Sequence, residues 1–127
     1  MLSIIAFVLY CIAAVALIVM IARAGLHKAK GGEAVAGMAQ HFELPPLAMQ
    51  SIGFAELAAC VGLVVGALSR PLGILTTACL VLLFAGAVMM HIRAKDDANS
   101  RGPALVIMCI AVAALVFRLL SHFSILF

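Results

Sequence analysis

The sequence predicts an all-α fold, a four-transmembrane-helix bundle with a short polar connection, long enough for an interfacial helix, between helices 1 and 2. Apolar residues make up 67% of the 127 residues and charged residues 10%, too little polar surface to cover a water-soluble globule. The mean hydropathy is +1.30. The apolar residues form four runs of about 20 residues, the length of helix that crosses a bilayer's hydrocarbon layer. We treat residues 1–127 as one integral membrane domain.

The first apolar run covers residues 2–22 and carries no charged side chain before Arg23. A signal peptide places its positive residues before a shorter apolar core. Here the positive residues Arg23, Lys28 and Lys30 follow the run. We therefore expect a retained transmembrane helix.

The polar connection covers residues 23–45, where glycine, charged and amide residues accumulate. Residues 33–42 are long enough for two to three helical turns, and apolar residues recur there at helical spacing, namely Val35, Met38, Ala39 and Phe42. This pattern favours a short interfacial helix. Pro45 and Pro46 end that segment and begin the second span, because proline suits the first turn of a helix.

The second and third spans, residues 46–68 and 71–92, form a hairpin around the short break at 69–71. The second span carries small residues at four-residue spacing, which lets helix backbones approach closely in lipid. These candidate helix-packing residues are Ala58, Gly62 and Gly66.

The fourth span covers residues 103–120 after an aqueous loop at 94–102, and the apolar tail at 121–127 is too short to cross. Four spans put both termini on one side of the membrane. Positive residues are concentrated in the connections on the opposite side, at Arg23, Lys28, Lys30, Arg93, Lys95 and Arg101, against Arg70 and Arg118 on the side of the termini. The positive-inside rule then predicts both termini outside the cytoplasm.

Glu56 is the residue whose burial costs most. It lies ten residues after Pro46, about 15 Å along the helix axis and so near the middle of the bilayer. A charged side chain facing lipid there costs about 2.5 to 3.5 kcal/mol. We expect Glu56 to face the bundle interior, neutralised by a proton, a partner or a ligand. It would contact a proton or ligand in a polar pocket, or form hydrogen bonds between helices for structure alone.

His91 lies about 30 Å along the axis from Pro71, at the cytoplasmic end of the third span. It could line the mouth of a cavity, contact a cofactor or lie at the headgroup level. Because the two spans are antiparallel, Glu56 and His91 differ in depth by roughly 10 Å, which favours one elongated pocket over a direct pair. Gln50, on the span of Glu56, and Arg93, beside His91, complete the candidate ligand-binding residues.

Arg118 lies about 22 Å into the fourth span. A buried guanidinium must reach water or find acceptors. We expect Arg118 to snorkel outward rather than to meet an acceptor inside the bundle.

The cysteines are distributed one to each span, at Cys11, Cys60, Cys79 and Cys109. The spacing contains no Cys-x-x-Cys motif, and cysteine in an apolar helix usually acts as a small hydrophobe. Two of the histidines on the face that holds His27, His41 and His91 could ligate haem, but the spacing does not require it. We therefore favour neither a metal nor haem.

The sequence contains no phosphate-binding glycine loop, no nucleophile elbow and no paired carboxylates. It also lacks a basic stripe interleaved with aromatic residues, which argues against nucleic-acid binding. No catalytic residue is assigned, and whether the chain is an enzyme stays open.

The second span contains the run Gly53-Phe54-Ala55-Glu56-Leu57-Ala58-Ala59-Cys60-Val61-Gly62-Leu63, which is followed by Gly66, Arg70 and His91. With these residues the sequence resembles the DoxX-like family of small four-helix membrane proteins. The resemblance covers nearly the whole chain and places Glu56 and His91 at the family's intramembrane polar positions. Founding members of that family are associated with a membrane thiosulfate:quinone oxidoreductase, others accompany oxidoreductases, and distant eukaryotic relatives act as assembly factors for membrane proteins.

The resemblance implies two classes of function. The chain could be a subunit of a redox system in the bacterial cytoplasmic membrane, which binds a quinone or similar amphipathic molecule inside the bundle. It carries no motif for flavin, nicotinamide or iron–sulfur ligation, so that function needs a partner oxidoreductase. Alternatively, it could be a scaffold or assembly factor that packs against other helices through Ala58, Gly62 and Gly66. A protein partner or a homo-oligomer is expected in either case.

Replacing all four cysteines with Ala or Ser is expected to leave the protein assembled, because the thiols act as small apolar groups. Size-exclusion chromatography in detergent, together with elemental analysis of wild type and variant, measures this. A metal that is bound by the wild type and lost from the variant would contradict the expectation.

Overall fold

The computed structural model describes residues 1–125, and within them the chain forms five α-helices and no strand. The helices are α1 Leu2–Lys30, α2 Glu33–His41, α3 Pro46–Leu68, α4 Arg70–Arg93 and α5 Ala98–Leu120. All except α2 are long and apolar enough to cross a membrane. The predicted all-α fold and the four membrane-spanning helices are therefore confirmed.

The four long helices form a closed bundle. α1 and α4 each pack against both α3 and α5, and α2 packs against α3. The centre of the bundle is filled by buried side chains that include Tyr10, Leu17, Ile21, Leu63 and Leu80. Many large apolar residues stay exposed on the outer surface, as expected for helices whose outer faces contact lipid.

α1 is longer than the predicted first span and continues through Lys30. Arg23, Gly25 and Lys28 therefore belong to the helix instead of to the polar connection. The added segment consists mostly of Ala, Leu, Lys and Arg, which are strong helix formers and tolerate a single glycine. α1 ends at Gly31 and Gly32, whose φ angles of 72° and 97° lie in the left-handed region that glycine adopts without strain.

α2 lies within the segment where the sequence predicts a short helix. Its buried residues Val35 and Ala39 pack with Phe42 and with Met49 of α3. The position of α2 at the membrane surface stays a prediction.

α5 begins at Ala98, five residues before its predicted start at Pro103. The side chain of Asp97 accepts a hydrogen bond of 3.0 Å from the backbone N–H of Ser100, the geometry of an N-terminal cap. Pro103 then lies in the second turn of the helix, where its missing N–H costs one backbone hydrogen bond. The cap starts the helix before the proline.

The α3–α4 hairpin is tightest beside its turn at Ser69. A methyl group placed on Gly66 would lie 2.5 Å from Cα of Gly73 and 2.8 Å from Oη of Tyr10, and one on Gly62 would lie 2.5 Å from Oγ1 of Thr76. Gly62 and Gly66 therefore permit the close contact with α4. Ala58, the third small residue of the predicted stripe, is exposed.

Arg118 does not snorkel outward, and that expectation was wrong. Its side chain is fully buried. The guanidinium donates hydrogen bonds to the carbonyl of Gly66 at 2.9 Å, to Oγ of Ser121 at 3.1 Å and to the carbonyl of Phe123 at 2.8 Å. The chain after α5 folds back over this end of the bundle, where the backbone N–H of Ile125 donates to the carbonyl of Leu68. The returning segment supplies acceptors inside the protein, so Arg118 has no need of water.

A polar cluster at the opposite end connects α2 to α4 and to the loop before α5. Asp96 accepts hydrogen bonds from Nε2 of His41 at 2.7 Å and from Nδ1 of His91 at 2.6 Å. We call these three residues the Asp96 clip. The hydrogen bonds, that from His91 first, stabilise the carboxylate and lower the pKa of Asp96 below its ordinary value.

Replacing Gly66 with Ala is expected to destabilise the bundle by about 1–3 kcal/mol, because the added methyl group overpacks the contact with Gly73. Gly37→Ala in α2 is the matched control, since nothing lies within 4 Å of a methyl group there. It is expected to be neutral or stabilising by up to about 1 kcal/mol. Denaturant unfolding in detergent, followed by circular dichroism, compares the two. Equal stability of Gly66→Ala and wild type would contradict the close packing.

Asp96→Asn is expected to lower the melting temperature at neutral pH, because the charged acceptor shared by two histidines is lost. A lowered pKa in the folded state means that the carboxylate stabilises the protein at pH values above the ordinary Asp pKa of about 3.9. That stabilisation is lost as the pH falls through the lowered pKa.

Melting in detergent between about pH 6 and pH 3 measures this contribution, with Glu43→Gln as a control that removes an exposed carboxylate. The difference between wild type and Asp96→Asn is expected to shrink toward the acid end. A difference that does not change with pH would show that the Asp96 carboxylate has no stabilising role.

Candidate functional site

A cavity of about 730 Å³ opens between α2, α3 and α4, at the end of the bundle away from the Ser69 turn. Apolar side chains form most of its wall, and among them are Met49, Ile52, Leu83, Phe84, Ala87 and Met90. The polar lining comes from Lys28, His41, Glu56, His91, Asp96 and Ser100. The volume lies within the range of small-molecule sites in proteins, which are mostly apolar with a few polar groups.

Glu56 lies in the middle of α3 and is 1% exposed. The ammonium group of Lys28 donates to its Oε1 across 2.5 Å. Among residues 1–125, the second oxygen, Oε2, is buried and has no hydrogen-bond partner. The acid therefore faces the bundle interior, as expected from the cost of exposing it to lipid, and a cation neutralises it.

Lys28 reaches Glu56 because α1 and α3 approach closely beside the pair. A methyl group on Gly53 would lie 2.7 Å from the backbone nitrogen of Ala29, and one on Gly25 would lie 3.1 Å from the carbonyl of Gly53. Replacing either glycine with a larger residue would push α1 away from α3. These two glycines set the distance that the ion pair requires.

Sequence reasoning missed Lys28, because it was assigned to the polar connection. A signal was present in the spacing of α1. The buried residues Leu17, Ile21 and Gly25 recur every four residues, and Lys28 follows three residues later on the same helix face. Extending this periodicity past Arg23 would have placed Lys28 against the second span.

The Asp96 clip forms the polar end of the cavity nearest the loops. An ionised carboxylate only accepts hydrogen bonds, so Nδ1 of His91 and Nε2 of His41 carry the protons in these contacts. The ring of Phe42 packs edge-on against His91 with centroids 4.9 Å apart, which fixes the orientation of the imidazole.

The four candidate ligand-binding residues from the sequence divide into two groups. Glu56 and His91 line the same cavity. Gln50 and Arg93 are not among its lining residues: Gln50 donates to the carbonyl of Ala29 at 3.4 Å, and Arg93 donates to the carbonyl of Phe42 at 3.1 Å. Gln50 thereby connects α3 to α1, and Arg93 connects α4 to the end of α2, next to the site.

His41, Asp96 and Ser100 also line the cavity and were not selected as binding residues from the sequence. They belong to α2, to the loop before α5 and to the first turn of α5. Local sequence gives no reason to group them, because His41 and Asp96 are separated by 55 positions.

The cysteines lie as free thiols on four different helices. Cys79 and Cys109 are exposed on the outer surface, and Cys11 and Cys60 are partly buried. None of the four lines the cavity.

The arrangement is suited to an amphipathic molecule. Apolar walls accept a ring and an alkyl chain, and the polar groups lie in two places, at the buried Glu56–Lys28 pair and at the Asp96 clip. Few polar groups in an apolar cavity fix the orientation of a ligand.

Comparisons with curated proteins and with solved structures return no match. The family model described as the DoxX-like family matches residues 11–114. That range contains the whole α3–α4 hairpin and every residue of the Glu56–Lys28 pair and the Asp96 clip. This integral membrane protein belongs to the DoxX-like family.

Proposed function

We propose that this DoxX-like protein binds a quinone or a similar amphipathic molecule in the cavity beside Glu56, as a small membrane subunit that acts with a partner oxidoreductase. The observation that carries the proposal is that Glu56 lines a cavity with mostly apolar walls, while its buried Oε2 has no hydrogen-bond partner within residues 1–125. A buried polar atom without a partner is costly and is usually satisfied by a ligand or an ordered water.

The proposed ligand class follows from the walls. Phe84, Met49 and Met90 offer an aromatic ring and two polarisable thioethers to a flat ring. The cavity lies among helices that are long and apolar enough to cross a membrane, so a ligand that dissolves in the bilayer would be matched to its surroundings.

A partner is part of the proposal because the chain carries no motif for flavin, nicotinamide or iron–sulfur ligation. The chain would hold the membrane-soluble molecule, and the partner would exchange electrons with it. In the orientation favoured by the positive-inside rule, both termini lie outside the cytoplasm of a bacterium and the Asp96 clip faces the cytoplasm.

The scaffold alternative has less support from the geometry. Gly62 and Gly66, which would contact another protein's helix, are already covered by Thr76 and Gly73 of α4. Only Ala58 of the predicted stripe is exposed, and one alanine does not make a helix-packing surface.

Gly86→Phe is expected to occupy part of the cavity and to weaken ligand binding by about tenfold or more, since even a single methylene group in an apolar site is worth a factor of that order. Gly86 lines the cavity, and nothing lies within 4 Å of a methyl group there, so the ring has room. Native mass spectrometry in detergent, with decylubiquinone and its quinol as separate probes, measures the bound fraction.

Gly37→Phe is the matched control, because its surroundings are equally open and it does not line the cavity. It is expected to bind like the wild type. Binding of neither probe to folded wild-type protein, or equal binding by Gly86→Phe and wild type, would contradict the proposed site.

A further inference from the structure

Glu56, in its pair with Lys28, presents hydrogen-bond acceptors and no donor. An ionised carboxylate accepts hydrogen bonds and donates none. Oε1 of Glu56 already accepts from Lys28 at 2.5 Å. Oε2 is buried without a partner among the described residues. The unmet requirement at Glu56 is therefore a hydrogen-bond donor, which a ligand in the cavity would supply.

Lys28 provides the complementary group. Its ammonium has three N–H donors, one of which is directed to Oε1, and its side chain is 17% exposed and lines the cavity. A hydroxyl group is matched to this pair, because it can donate to Oε2 of Glu56 while it accepts from Lys28. A carbonyl or ether oxygen can only accept, so it leaves Oε2 unpaired.

At the other polar end of the cavity, both carboxylate oxygens of Asp96 already have hydrogen-bond partners. Nδ1 of His91 donates to one carboxylate oxygen of Asp96 at 2.6 Å. The other carboxylate oxygen of Asp96 is occupied by His41. Neither Glu56 nor Asp96 offers a donor to a ligand.

We infer that the cavity selects ring compounds that carry a hydroxyl donor, such as a phenol or a hydroquinone, over compounds in which the same oxygen is a carbonyl or an ether. The Glu56–Lys28 pair determines this specificity. The inference rests on the proposed function, which places an amphipathic ring in the cavity, and adds the chemical form of the ring. It concerns binding only and requires no electron transfer.

Two redox-inactive probes test the inference. 4-Octylphenol and 4-octylanisole share the ring and the alkyl chain, and only the phenol has an O–H donor. Their affinities for the wild-type protein are compared by native mass spectrometry in detergent. We expect the phenol to bind about tenfold more tightly or better, because a site built around a hydrogen bond rejects the analogue that cannot make it.

Glu56→Gln identifies the residue responsible. The amide keeps the size of the side chain but adds a donor, so the preference for phenol is expected to fall to about twofold or less. Glu43→Gln makes the same change at an exposed position and is expected to keep the wild-type preference. Since the comparison of probes on the wild type is decisive by itself, the test does not depend on the folding of the variant.

Equal affinities of the wild type for the two probes, or tighter binding of the anisole, would overturn the inference and leave the proposed function standing. An undiminished preference in folded Glu56→Gln would also overturn it. If neither probe nor decylubiquinone and its quinol bind to folded wild-type protein, the proposed function itself fails, and the inference fails with it.

Discussion

The burial of one carboxylate constrains the whole arrangement. Glu56 lies in the middle of a membrane-spanning helix, and an acid at that depth needs a cation, a proton or a polar ligand. Lys28 supplies the cation, and this requires α1 to remain helical well past Arg23. It also requires α1 and α3 to approach closely, which Gly25 and Gly53 permit. The length of one helix and the packing of two follow from that electrostatic requirement.

The two ends of the bundle differ in how tightly their helices pack. At the Ser69 end, small residues bring α3 and α4 together, and Arg118 with the returning chain closes the space by hydrogen bonding. At the other end, α2 and the Asp96 clip cover a space that the long helices leave open. Met49 of α3 and Phe84 of α4 form part of the cavity wall there. The bundle is therefore tightly packed at the Ser69 end and contains a cavity at the end with the Asp96 clip.

Prediction from the sequence placed Glu56 in the bundle interior, where it is buried, because the physical cause is local. The cost of a charge in lipid depends on depth along one helix, so Glu56 could be assigned to the interior from its distance to Pro46. It failed where partners come from distant parts of the chain. Arg118 was expected to reach water because the acceptors that bury it, among them the carbonyl of Phe123, belong to a tail that folds back. The ends of α1 and α5 were also misjudged, since prolines and charges were given more weight than helix propensity and the Asp97 cap.

The sequence by itself determined that this is a membrane-embedded four-helix protein with one acid directed inward, because hydropathy, span length and insertion cost are properties of short segments. Only the tertiary structure decided what that acid meets. The pairing with Lys28, the grouping of His41, His91 and Asp96, and the cavity between them depend on how five helices pack. Packing brings together residues that are far apart in sequence, and no periodicity within a single helix encodes those contacts.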